Sequence, residues 1–203
     1  MAAPLNFIVG IACDNFVLMA ADKCDFADGA VTLTQNQDKG FRLGEKTHMF
    51  CSGSPGDVAN FGGLAVSSLQ QNKFRFGYEL KPKAAHHFLQ KTVADNLRSG
   101  NAWKVDAVIG GFNEVENKAF LGTIDQYGAG VAEQSYVFQG FSGRFCYSIM
   151  DELYRKDMNE EQAMEVLQKC LSQAKTRFVA SLPNFSVVKI DRSGVKQVAD
   201  VDV

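Results

Sequence analysis

The side chains able to do chemistry are few and scattered. Cys13, Cys24, Cys51, Cys146 and Cys170 share no Cys-x-x-Cys spacing, and their number is odd. That pattern suits free buried thiols in a reducing, intracellular setting better than a disulfide framework or a zinc site. His86 and His87 are adjacent. Neighbours on a helix point about a quarter-turn apart, so the two cannot jointly grip a metal and read as a surface or rim pair. Cys13 sits at a predicted hairpin turn, where the ordinary role of a cysteine is a small apolar filler. The doublets Gly62-Gly63 and Gly110-Gly111 are too sparse to cradle a phosphate and read as places of close packing. No metal and no cofactor is expected.

The elements that must position these residues alternate in kind. Residues 6–12 and 16–22 read as two strands of an antiparallel hairpin across Cys13-Asp14-Asn15. Residues 24–37 are polar, a loop with a short strand at Val31–Thr34. Strands follow at 40–44 and 47–52 across Gly44-Glu45-Lys46. The period then changes: Ser54 is placed to cap and Pro55 to open a helix that buries Val58, Phe61, Ala65 and Leu69 and closes at Gly77. A second helix from Pro82 puts Ala85, Phe88, Leu89, Val93 and Leu97 on one stripe. Strands return at Val105–Phe112, Lys118–Ile124 and Gly130–Phe138. Helices follow at 142–155 and 160–178, the latter opened by Glu160-Glu161, which complement its dipole, and ended by Pro183. A last hairpin joins Phe185–Ile190 to Val195–Val198.

Strands, two helices, strands, two helices, strands: one α+β domain over 1–203 satisfies this order. It is a four-layer αββα sandwich, two stacked antiparallel sheets flanked by helix pairs. The bulk figures agree. The 203 residues are 46% hydrophobic and 22% charged, enough to bury a core without staples. A formal net charge of −2 with no charged block excludes binding of nucleic acid or membrane driven by charge. The apolar start lacks a basic region and is interrupted by Asp14 and Asp22, so it is neither a signal peptide nor a span.

Four stretches carry a resemblance. NFIVGI with DNFVLMAADK (6–23), DKGFRLGEKTHMFCSGSPGD (38–57), QGFSGRFCYSIMDELY (139–154) and KTRFVASLPNFSVVKID (175–191) together are similar to the proteasome-type branch of the N-terminal nucleophile hydrolases. Only Met1–Leu5 precede the first strand, which resembles the beta type, because alpha-type subunits carry an extra helix there. The stretch Ser181–Val187 and the lack of a prosegment resemble the non-catalytic fourth beta-type subunit of eukaryotic rings.

The resemblance implies a site. Active members attack with the hydroxyl of an N-terminal threonine freed by autolysis, its own amine taking the proton. Alignment through Ala20-Ala21-Asp22 puts Asn6 at that threonine and Leu5 at the glycine before the scissile bond. Asp22 matches the aspartate beside the nucleophile, Lys39 the lysine that lowers the hydroxyl's proton affinity, and Ser181 a serine near the amine. Phe178 stands where active members have an aspartate, and in an ungapped register Phe141 replaces the serine of the Gly-Ser-Gly turn. A shift of one residue restores Ser142-Gly143 instead. Asp22 and Lys39 then read first as a buried ion pair fixing strand ends, and second as a catalytic remnant.

The implied function is a non-catalytic structural subunit of the 20S core beta ring in the cytoplasm and nucleus. It would serve assembly and ubiquitin-dependent degradation by active neighbours. The implied partners are two beta-type neighbours, an alpha-type subunit and the opposite beta ring. Helices 142–178 would face that ring, and loop 24–30 an adjacent beta subunit. The rival reading is an active amidohydrolase with an atypical nucleophile, for which Cys13 is the sole early candidate. Cutting before it would delete the first strand.

Overall fold

The computed structural model describes residues 6–27, 31–178 and 180–202. In chain order the strands are β1 (Ile8–Ala12), β2 (Phe16–Asp22), β3 (Asp25–Ala27), β4 (Val31–Thr34), β5 (Gly40–Arg42) and β6 (Thr47–Gly53). Helices α1 (Pro55–Phe76) and α2 (Pro82–Arg98) follow, then β7 (Val105–Asn113), β8 (Lys118–Ile124), β9 (Gly130–Val131) and β10 (Tyr136–Gln139). A 3-10 turn (Ser142–Cys146) runs into α3 (Tyr147–Leu153), followed by α4 (Glu160–Arg177), β11 (Asn184–Asp191) and β12 (Gly194–Asp202). Two five-stranded sheets result, ordered β10-β1-β2-β11-β12 and β5-β6-β7-β8-β9, while β3 and β4 pair apart. Every pairing is antiparallel.

Strand alternation builds the layers. Phe7, Val9 and Ile11 pack with Leu167, Cys170 and Leu171 of α4, whereas Ile8 and Ala12 turn the other way. Met49 and Cys51 of β6 meet Phe61 of α1 and Leu89 of α2. Phe50 between them points into the space shared by the two sheets, with Met19, Val108, Leu121 and Ile190. Three apolar layers therefore separate four structural ones, the αββα sandwich expected from the order of elements. Each fully buried Phe, Leu or Ile here contributes about 1.5–3 kcal/mol. The sheets approach so closely that a Cβ on Gly110 would stand 2.3 Å from Met19 Sδ.

The departures from expectation have local causes. The stretch Gly130–Phe138 is not one strand: β9 pairs with β8 and β10 with β1, so the chain crosses between sheets. Glu133 takes φ 58°, and the crossing is stitched to both sheets by Gln134 N donating to Leu121 O (2.9 Å) and Ala12 N to Ser135 O (2.8 Å). The expected helix at 142–155 opens as the tighter 3-10 turn. Helix α4 is opened by a reciprocal Asn159–Gln162 capping box and ends at Arg177; Phe178 is already extended (φ −80°, ψ 145°), so Pro183 is not its stop. Ser54 occupies the cap position of α1 without a side-chain bond, and Pro55 alone does the local work there. The polar 24–37 segment holds a second strand, β3. The buried stripe of α2 is Pro82, Ala85, His86, Leu89 and Val93. Phe88 is exposed instead, and His86 is no rim residue: its Nε2 lies 2.9 Å from Thr123 O. The last hairpin is longer than expected, its turn held by Ser193 N donating to Asp191 Oδ1 at 2.7 Å.

Candidate functional site: a closed ion pair at the start of the first strand

Asp22 is the last residue of β2, paired across the sheet with Phe185, and its side chain is buried. Its carboxylate accepts four hydrogen bonds from three donors. Phe7 N reaches Oδ1 at 2.8 Å, Cys24 N reaches Oδ2 at 3.0 Å, and Lys39 Nζ lies 2.8 Å from both oxygens. Lys39 is buried too and donates its third bond to Asn6 Oδ1 at 2.8 Å. An ammonium has three protons, and these three acceptors take all of them. The Lys39 carbonyl accepts from Cys51 N at 3.0 Å, fixing the lysine to β6. Burial pushes the Asp22 carboxyl above its usual range; the Lys39 charge is the largest opposing influence, ahead of the Phe7 and Cys24 amides. The same burial, with the Asp22 charge added, raises the neighbouring Cys24 thiol.

Gly140 closes the site from the β10 side. Its φ is +84°, and a Cβ there would stand 1.6 Å from Asn6 O, so no side chain fits. Phe7 anchors the next residue by edge contact with Phe185 at 5.8 Å and a tilted contact with Phe138 at 6.5 Å. Of the six residues singled out in the sequence, Asn6, Asp22 and Lys39 thus form one bonded cluster. Phe178 is buried in the layer that also holds Phe7, Cys24 and Leu182. Ser181 joins through its main chain, its carbonyl accepting from Cys24 Sγ at 3.7 Å, while its side chain is exposed. Phe141 turns away, edge-on to Phe145 at 6.0 Å and beneath the Arg144 guanidinium. Leu5 and positions 28–30 lie outside the described residues.

The sequence matches the family described as Proteasome subunit over residues 6–190, a match that opens on Asn6 itself. It is 46% identical to "Proteasome subunit beta type-2" of Caenorhabditis elegans, covering 97% of this chain and 99% of that one. It is 31% identical to "Proteasome subunit beta type-4" of Saccharomyces cerevisiae over 97% and 98% of the two chains. With "Proteasome subunit beta type-2-A" of Arabidopsis thaliana it shares 30% identity over 96% and 94%. The chain belongs to the proteasome beta-type subunit family.

What this beta-type subunit can do with its cluster follows from the donors and acceptors. A carboxamide offers no hydroxyl to deprotonate, and Lys39 has no proton left to polarise another group. Among the described residues no three His, Cys, Asp or Glu side chains gather as metal ligands would. The chemistry on view is electrostatic closure of a strand end. Three contributors escaped sequence reasoning. The amides of Phe7 and Cys24 act through backbone atoms, which carry no residue-type signal. Gly140 had a signal, a glycine heading the turn after β10, but its partner Asn6 is far away in sequence.

Proposed function

We propose that this chain is a non-catalytic member of the 20S proteasome beta ring, at the fourth beta-type position, working in the cytoplasm and nucleus. Proteasome beta-type subunits assemble with alpha-type and other beta-type subunits in stacked rings, and those subunits are its partners. The particle it belongs to degrades proteins; this subunit contributes shape, buried surface and a scaffold for active neighbours in ubiquitin-dependent proteolysis. One observation carries the reading: the carboxamide of Asn6 occupies the lysine that an attacking hydroxyl would need. Leu5 and Phe178, where active relatives of this fold resemble one another in carrying glycine and aspartate, support it. The position within the ring rests on the stretch Ser181–Val187. Helices α3 and α4 are assigned to the opposite ring and the β3–β4 region to an adjacent beta subunit. The rival nucleophile, Cys13, is poorly suited: burial first, and then the Asp14 charge, push its thiol up to about 11.

The test uses the intact particle. Threonine-directed electrophiles such as peptide epoxyketones should modify other beta subunits and leave this chain at its unmodified mass. An adduct on any residue of this chain would overturn the reading. Intact-mass analysis should also find the peptide bond between Leu5 and Asn6 unbroken, and a mature chain beginning at Asn6 or beyond would count equally against it.

A further inference from the structure

The helix layer that covers the first sheet contains a pair of thiols outside the Asn6 cluster. Cys146 closes the 3-10 turn and Cys170 lies on the inner face of α4, and both side chains are fully buried. The Cys146 thiol donates to the Cys170 carbonyl at 3.3 Å, which holds its sulfur over the Cys170 backbone. The nearby Cys146 thiol, with burial, holds the Cys170 proton more tightly than in a free cysteine. The same buried apolar cluster holds Met150, Leu167 and Leu171.

We propose that Cys146 and Cys170 form a latent dithiol that a peroxide converts to an intramolecular disulfide, locking the 3-10 turn onto α4. The chemistry balances with one peroxide. The Cys146 sulfur, its proton given up, attacks one peroxide oxygen; the O–O bond breaks, leaving a sulfenic acid and one water. The Cys170 sulfur then displaces hydroxide from that sulfenic sulfur, forming the S–S bond, and the hydroxide leaves with the Cys170 proton as a second water. Two electrons pass from the two sulfurs to the peroxide.

Access is the condition, since a buried protonated thiol is inert. The two elements differ in how readily they open. The 3-10 turn has 5 residues and α3 has 7, lengths at which isolated helices have little stability of their own. The 18-residue α4 is pinned at its start by the Asn159–Gln162 box. Local opening of the short segment exposes Cys146 to a small uncharged oxidant, and reclosure returns it to Cys170. A peroxide suits this step better than a bulky or charged disulfide.

The experiment exposes the intact particle to hydrogen peroxide, blocks remaining thiols with N-ethylmaleimide during denaturation, and maps peptides without reduction. The expected result is a cross-linked peptide pair joining Cys146 to Cys170, removed by dithiothreitol, with a higher melting temperature for this subunit before reduction. In a Cys170→Ser particle the cross-link should vanish and Cys146 should accumulate as sulfenic or sulfinic acid. Recovery of both cysteines as maleimide adducts at peroxide levels that oxidise exposed methionines would overturn the proposal. So would a cross-link that forms only when peroxide is added after denaturation.

Discussion

Lys39 gives its protons to Asp22 and Asn6, and each of those oxygens would be costly to leave buried without it. Replacing it with methionine keeps the length of the stem and removes the charge. Lys39→Met should therefore destabilise the purified chain by about 3–5 kcal/mol, the usual cost of stranding one partner of a buried pair. Combining it with Asp22→Asn removes the stranded carboxylate and should recover a large part of that loss in urea unfolding. If the double variant is no more stable than the single one, the pair is not the anchor of this strand end. The same residue argues against easy repair of activity. Asn6→Thr supplies a hydroxyl to Lys39, but on the proposed reading Leu5 and Phe178 still replace the glycine and aspartate of active members, so peptidase assays on particles carrying this variant should show no new activity from this subunit. The sequence made Asn6, Asp22 and Lys39 visible because their spacing along strands could be aligned with a known pattern. It could not show that a single ammonium serves both oxygen-bearing partners, because that depends on where residues 6, 22 and 39 meet in space.

At the scale of elements, the regular parts were legible and the junctions were not. The buried faces of α1 and α4 follow from their 3.6-residue period, and the hairpin β1–β2 from two apolar runs around a turn. The stretch Gly130–Phe138 misled because a period of two persists while the chain leaves one sheet and enters the other. Periodicity reports which side chains are buried, and residues on either side of the crossing are buried in different layers. His86 misled for a similar reason: polarity suggested the rim, but Gly122 beneath it leaves room for an imidazole, and Thr123 O gives it a partner. The packing of the two sheets yields a prediction of its own. Gly110→Ala places a methyl 2.3 Å from Met19 Sδ and close to Ile190 and Val17. Overpacking of this kind costs about 1–3 kcal/mol. Because Met19 is flexible, Gly110→Ala with Met19→Ala should cost less than the sum of the two single changes in a double-mutant cycle. Strict additivity would mean that the sheets part rather than that the methionine yields.

At the scale of the whole molecule, one buried histidine places a pH-sensitive group in the space between the sheets. His48 lies on β6 between Arg42 of β5 and Gly110 of β7, edge-on to Phe50 at 4.9 Å, and among the described residues neither ring nitrogen has a hydrogen-bond partner. Burial lowers its pKa from 6.5 to about 4, with Arg42 acting in the same direction and Asp38 against it. An unfolded chain therefore binds this proton before the folded one does. Stability is fully present above 6.5 and is lost as pH falls from there toward about 4, a loss of about 3 kcal/mol once both forms are charged. His86, lowered chiefly by its own burial, adds to the same slope. His48→Phe keeps an aromatic ring of similar size against Phe50 and gives up no hydrogen bond. Its urea midpoint should fall less than that of the parent chain between about pH 7 and about pH 5. Parallel profiles for the two chains would mean that His48 takes its proton without parting the sheets, and that the acid sensitivity lies elsewhere.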